Sequence, residues 1–100
     1  MKVLVARYTV KPGQTDKVIE YLKEMTRKVK EVEPGCIMYR VHRPTDGSDT
    51  LLLYEVYENE AARELHRHTE HFKAIIEAQV IPLLERRERE FLDVVIDAAQ

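Results

Sequence analysis

LLLYEVYENEAARELHRHTEHF, residues Leu51–Phe72, is the stretch whose reading decides the fold. It opens on an apolar run, Leu51–Tyr57, interrupted only by Glu55 and too short for a helix. Glu58-Asn59 ends that run, and an amphipathic helical pattern carrying His66, His68 and His71 follows at once. A carboxylate inside an apolar strand needs a partner, a polar cavity or a shift to its neutral form. A histidine-bearing helix arriving directly after the strand can supply the partner. Strand and helix are therefore expected to form two walls of one small pocket.

Working outward, Lys2–Val10 reads as a strand, with Val3 and Val5 on one side and Leu4, Ala6, Tyr8 and Val10 on the other. Lys11-Pro12-Gly13 stops it with turn chemistry. Thr15 is the expected N-cap of a helix whose first turn carries Asp16. Val18, Leu22, Met25, Val29 and Val32 recur there at helical spacing, and Pro34-Gly35 ends it near Glu33. Cys36–Arg43 is the second expected strand, Pro44–Asp49 a hairpin loop and Thr50–Glu58 the third strand. Asn59 caps a helical pattern that runs to Val80 in one or two pieces, and Pro82 marks a further break or a short helix. The charge run Glu85–Glu90, ERRERE, reads as a solvated linker or strand entry, Phe91–Ile96 as the last strand and Asp97–Gln100 as a tail.

The order βαββαβ is that of an α+β, ferredoxin-like split βαβ sandwich in which both helices cover one face of an antiparallel sheet. The expected strands are apolar on both sides, with Leu52, Tyr54 and Val56 opposite Leu51, Leu53 and Tyr57, and Leu92, Val94 and Ile96 opposite Phe91 and Val95. Two helices cover only one face. A second copy is expected on the other, giving a homodimer.

Composition narrows the function. Residues 1–100 are read as one domain, with Lys+Arg 16 against Asp+Glu 18 and no basic field to favour nucleic acid or an anionic membrane. No apolar run reaches the ~20 residues that span a bilayer. The amino terminus meets Arg7 too early for a signal peptide, and the lone Cys36 forms no internal disulfide, so a cytoplasmic location is expected. Glycines at 13, 35 and 47 make no phosphate loop. The histidines hold no i, i+4 pair and no HExxH arrangement, so no metal is expected.

Three motifs together resemble the antibiotic biosynthesis monooxygenase family: Glu33-Pro34-Gly35-Cys36-Ile37-Met38-Tyr39, then Leu53-Tyr54-Glu55-Val56-Tyr57, then His66-x-x-Thr69-x-His71-Phe72. The resemblance runs over nearly the whole chain, in order. It implies a dimeric α+β barrel whose pocket lies between sheet and helices, and an enzyme that oxygenates quinol- or anthrone-like aromatics with O2 and no cofactor. By that resemblance Glu55 and His66 are the catalytic candidates, and His71 and Phe72 close the helical wall. Tyr57 stands where many members carry Trp. The haem-degrading branch is not matched, because the chain has no Trp and Ile76 stands where the axial ligand would be.

Such chemistry requires a base to make a phenolate, groups to hold it, and exclusion of water. Histidine suits the first role. Tyr8, Tyr39, Tyr54 and Tyr57 offer hydroxyls to an oxyanion and rings to a planar substrate. Isomerisation or lysis of a small metabolite through an enediol would use the same groups, and a non-catalytic ligand-binding dimer would need only the pocket. Which histidine faces inward depends on the helix. Uninterrupted from Asn59, it puts His68 on the apolar stripe with Ala61, Leu65, Phe72, Ile75 and Ile76, and leaves His66 at the polar edge. A break near Arg67–Glu70, which the family motif suggests, re-phases the two halves and leaves open which of His66, His68 and His71 faces the pocket. Glu55 could equally be a paired structural carboxylate, and Cys36 a small buried filler.

Overall fold

The computed structural model describes residues 1–98. Four strands, β1 (Lys2–Val10), β2 (Cys36–His42), β3 (Thr50–Tyr57) and β4 (Leu84–Asp93), form one sheet in the order β2-β3-β1-β4. Every neighbouring pair is antiparallel. Helices α1 (Thr15–Val32) and α2 (Glu60–His66), a π-helical segment Phe72–Val80 and a 3₁₀ turn Ile81–Leu83 complete the described elements. This is the α+β split βαβ arrangement that the element order predicts. No helix among the described residues is long and apolar enough to cross a membrane.

The core lies between sheet and helices. Ala6, Tyr8 and Val10 of β1 and Leu51 and Leu53 of β3 meet Val18, Leu22, Met25 and Val29 of α1 and Ile75, Ile76 and Val80 of the π-helical segment. Each such aliphatic side chain contributes about 1.5–3 kcal/mol by leaving water. Val18, Leu22, Met25 and Val29 of the stripe read for α1 are thus buried, whereas Val32, read with them, is exposed at the end of the helix. Its start differs: Gln14 is the N-cap, and Thr15 begins the helix with its hydroxyl donated to Asp49 Oδ1 at 2.9 Å. The threonine ties the helix to the β2–β3 connection instead of capping its own backbone. Asn59 is the cap expected, accepting from the Ala62 amide at 2.9 Å.

The second helical pattern is broken, as the re-phased alternative required. α2 stops at His66, residues 67–69 turn, and the chain resumes with i→i+5 geometry. Thr69 makes the joint: its hydroxyl donates to the His66 carbonyl at 2.8 Å and accepts from the Phe72 amide at 3.2 Å. One side chain thus satisfies orphaned groups from both helical pieces. His66 consequently faces inward, while Leu65 and His68 are exposed.

The last strand is corrected. Glu85–Glu90 is no linker; it is most of β4, and residues 94–96, expected in the strand, lie beyond it. The backbone of β1 needs a second partner whatever side chains that partner carries, and an edge strand tolerates charge because its outer side meets water. Leu4, Ala6 and Tyr8 pair with Phe91, Arg89 and Arg87, while Val5 and Arg7 pair with Glu90 and Glu88. The face away from the helices is therefore mixed. Arg7, Glu88 and Glu90 occupy part of it, and the apolar part lies around Val3, Tyr54, Val56 and Leu92. Val95 and Ile96 beyond β4 are 86% and 90% exposed. Of the expected tail, residues 99 and 100 lie outside the described residues.

Gly35 sets how closely α2 can approach. A Cβ there would stand 2.7 Å from Ala62 Cβ, and its carbonyl accepts the Glu58 amide at 2.9 Å. Gly35→Ala should therefore lower stability by about 1–3 kcal/mol through overpacking at the α2 contact. Urea unfolding measures this; an unchanged midpoint would show that α2 does not seat on the α1–β2 turn.

Candidate functional site

Two acids and two histidines come together beneath α2. Glu55 sits on the inner face of β3 because β3 alternates, with Leu51, Leu53, Glu55 and Tyr57 turned to the helices. It is 3% exposed, and its Oε1 accepts the Tyr57 hydroxyl at 2.5 Å. His66, the last residue of α2, is also 3% exposed. Its Nε2 lies 3.7 Å from Glu55 Oε1, close enough for charge to be felt and too long for a hydrogen bond. The imidazole is held among the rings of Tyr39, Tyr57 and Phe72, with centroids 5.7, 5.5 and 5.3 Å away.

The opposite nitrogen of His66 meets a residue that the sequence did not bring forward. Nδ1 lies 2.9 and 3.0 Å from the two carboxylate oxygens of Glu33, and His71 Nε2 lies 2.5 Å from Glu33 Oε2. Glu33 follows α1 and is buried. Pro34 forbids it a helical backbone, and its φ of −115° and ψ of 81° take it out of the helix. Periodicity gave no reason for a residue past the end of the helix to point inward. The only signal was its place at the head of the Glu33-Pro34-Gly35 motif.

The two carboxyls are pushed apart. Burial is the largest influence on Glu33 and opposes its ionisation, yet the hydrogen bonds and charges of His66 and His71 together outweigh it and hold the carboxyl below its ordinary range. Burial also dominates at Glu55. There the His66 charge and the Tyr57 hydroxyl offset it only partly, so Glu55 is raised. An ionised Glu33 has no proton to give. Both histidine nitrogens that face it must donate. His66 is then fixed with Nδ1 protonated and Nε2 on the side of Glu55.

A chamber of about 20 Å³ lies beside this group, room for about one water molecule. Tyr8, Tyr39, Glu55, His66 and Phe72 line it. Arg63, Arg67, Arg87 and Arg89 line it too, and none of these arginines was singled out from the sequence. Burial pushes the Tyr8 hydroxyl up to about 12 and raises Tyr39 and Tyr57 as well, so all three stay hydrogen-bond donors. The remaining expected residues fall elsewhere. Tyr57 and His71 stand behind Glu55 and Glu33 as their donors. Tyr54 belongs to the other face of the sheet, beside Val3 and Leu92. His68 is exposed, 3.2 Å from Glu64. Cys36, its thiol pushed up to about 12 chiefly by burial, is no nucleophile. A larger apolar groove of about 470 Å³ runs between α1 and β2, lined by Ile19, Leu22, Val41 and Leu51; Tyr39 lines both spaces. Among the described residues no group of three His, Cys, Asp or Glu could hold a metal ion.

The fold and the buried acid–base group define a small α+β protein with its polar chemistry sealed between sheet and helices. The chain belongs to the antibiotic biosynthesis monooxygenase family, whose sequence profile it matches over residues 1–78. Rv0793 from Mycobacterium tuberculosis superposes with a TM-score of 0.88 at 27% identity, over 98% of each chain. A candidate antibiotic biosynthesis monooxygenase from Caulobacter crescentus gives 0.88 at 28% identity, over 95% of this chain and 90% of that one. An uncharacterised Synechocystis protein, sll1783, is 29% identical over 75 residues. The chain spans about half the length of that relative, since the match covers 75% of this chain and 50% of the other.

Glu33→Gln should cost about 3 kcal/mol at pH 7, because two buried imidazoles lose their anion. A carboxyl held below its unfolded value of 4.5 adds stability above that pH and loses it as pH falls further toward its depressed value. The gap between wild type and Glu33→Gln should narrow below pH 4.5. Urea unfolding across that range checks it, and a gap independent of pH would contradict an ionised Glu33.

Proposed function

We propose that the chain is a cofactor-independent monooxygenase that oxidises a small hydroquinone- or anthrone-like aromatic with O2. The observation that carries this reading is the division of labour at His66. Glu33 keeps a proton on Nδ1, so the free base is Nε2, on the chamber side beside a Glu55 whose burial disfavours a competing anion. Membership in the family supports the oxygenation itself.

In the proposed reaction His66 Nε2 takes the phenolic proton, and Glu33 steadies the imidazolium. Tyr8 and Tyr39, which keep their protons, donate to the phenolate. The phenolate passes one electron to O2, which as a triplet reacts poorly with the closed-shell phenol. The semiquinone and superoxide combine at a ring carbon to give a hydroperoxide. Loss of water across its O–O and C–H bonds leaves a new carbonyl, so hydroquinone and O2 give hydroxybenzoquinone and H2O. The chamber holds about one water, so a ring enters only when a lining side chain moves. Tyr39, which also borders the α1–β2 groove, is the side chain whose displacement would give most room.

We place this activity in a cytoplasmic, single-domain homodimer. The apolar part of the outer sheet face and the exposed Val95 and Ile96 support a second copy there. The test is oxygen uptake with a panel of hydroquinones. One atom from labelled O2 should enter the product and the other appear in water, and His66→Ala should lower kcat by about 10²–10⁴-fold. No uptake above background with any hydroquinone, with His66→Ala indistinguishable from wild type, would overturn the reading.

A further inference from the structure

The outer wall of the chamber is built from four arginines, and they are not equally satisfied. Arg63 is engaged: it hydrogen-bonds Glu60, stands 3.7 Å from Glu64 and lies 4.6 Å over the Phe91 ring. Arg67 stands 3.8 Å from Glu64. Arg89 lies 5.8 Å over the same Phe91 ring and Arg87 stands beside the Tyr8 hydroxyl, but their charges are less well matched. Among the described residues neither has a carboxylate within 4.0 Å, whereas Arg86 on the other face of the same strand pairs with Glu88 at 3.2 Å. The Nε of Arg87 is buried without a hydrogen-bond partner.

Their placement follows from the strand. Residues two apart project from the same face, so the Cα atoms of Arg87 and Arg89 stand roughly 7 Å apart. Opposite Tyr8 and Ala6 of β1, both are turned toward the helices. Burial, then repulsion from Arg87 and Arg67, holds the Arg89 guanidinium below its ordinary value, as expected of a cation crowded by its own kind. A buried donor left unpaired costs about 1–3 kcal/mol. Glu55 is the sole carboxylate among the lining residues, and its burial works against its charge. Four guanidinium groups thus share a single lining carboxylate, and none of it lies within 4.0 Å of Arg87 or Arg89.

We propose that Arg87 and Arg89 form the seat for an anionic substituent, a carboxylate or a phosphate, carried by the aromatic substrate. This rests on the monooxygenase reading for the identity of the ring, and it narrows the substrate class to hydroquinones that bear a negative group. A planar guanidinium fork matches either oxyanion with two parallel hydrogen bonds, and Arg87 Nε supplies a donor already inside the wall. Arg67 and Arg89 have exposed, flexible stems, and they can swing outward to admit the ring and close on its anionic end. With that end at β4, the remainder of the ring lies toward the wall formed by Glu55 and His66.

The test separates binding from turnover. Under argon, calorimetric titration would compare 2,5-dihydroxybenzoate, 2,5-dihydroxyphenyl phosphate and hydroquinone on wild type, Arg87→Met and Arg89→Met. At least one anionic compound should bind wild type about tenfold or more tightly than hydroquinone, and the methionine variants should lose that preference while keeping their affinity for hydroquinone. The two anionic arms decide between carboxylate and phosphate. If a methionine variant fails to fold, Arg87→Lys and Arg89→Lys decide instead. They keep the charge and lose the fork, so the preference should fall severalfold. Equal affinity for neutral and anionic compounds, or a preference that survives both substitutions, overturns the seat. Oxygen uptake followed in parallel keeps the two proposals apart. Anion preference without uptake leaves the seat standing and removes the monooxygenase, while uptake on neutral hydroquinones without anion preference does the reverse.

Discussion

A single buried carboxylate holds the site together. Glu33 receives both His66 and His71, and those three residues belong to three pieces of chain: the end of α1, the end of α2 and the start of the π-helical segment. Removing any carboxylate from water is costly, and Glu33 recovers that cost only because each of its oxygens has an N–H aimed at it. The geometry in turn depends on backbone features on either side. Pro34 turns Glu33 out of its helix, and Gly35 lets α2 come close enough for His66 to reach it. Displacing any of these pieces would strand a charge in the interior, so the carboxylate pins the mutual register of the helices more than it adds net stability.

The same contact determines what the site can do. Both ends of an imidazole are potential bases, and a histidine exposed to water offers either. Here one end is committed to Glu33, which leaves the other for the chamber. Glu55, held by Tyr57 and disfavoured as an anion by burial, stands near His66 without capturing it. Two carboxyls in one small volume repel when both are charged, and their surroundings shift them in opposite directions, Glu33 down and Glu55 up. The Thr69 joint between the helical pieces completes the arrangement, since an unbroken helix would turn His66 away from the core.

Much of this was legible in the sequence, where local chemistry and pattern agreed. The alternation of Leu51–Tyr57 placed Glu55 on the inner face, Asn59 capped its helix, and the α1 stripe from Val18 to Val29 was buried, with only Val32 at its end exposed. The histidine that faces inward could be read only once a break was allowed, because helical phase is reset by a single turn. Three features escaped. Glu33 lies beyond its helix, where periodicity carries no information and only the proline bend directs the side chain. The run Glu85–Glu90 was read by its charge, whereas strand formation there answers to the unpaired edge of β1, and alternation then sends Arg87 and Arg89 to the chamber and Glu88 and Glu90 to the outer face. Tyr54 fell on the outer face by the same alternation that placed Glu55 on the inner one, which a strict application of period two to β3 would have shown.

The central claim is that Glu33 fixes the proton on His66 Nδ1 and leaves Nε2 to serve as the base. Long-range ¹⁵N–¹H correlation spectra of the imidazole rings, followed across the neutral pH range, test it directly. The account predicts that His66 Nδ1 resonates as a protonated ring nitrogen throughout, while any change with pH is confined to Nε2. A spectrum in which Nδ1 is the nitrogen that gives up its proton would contradict it.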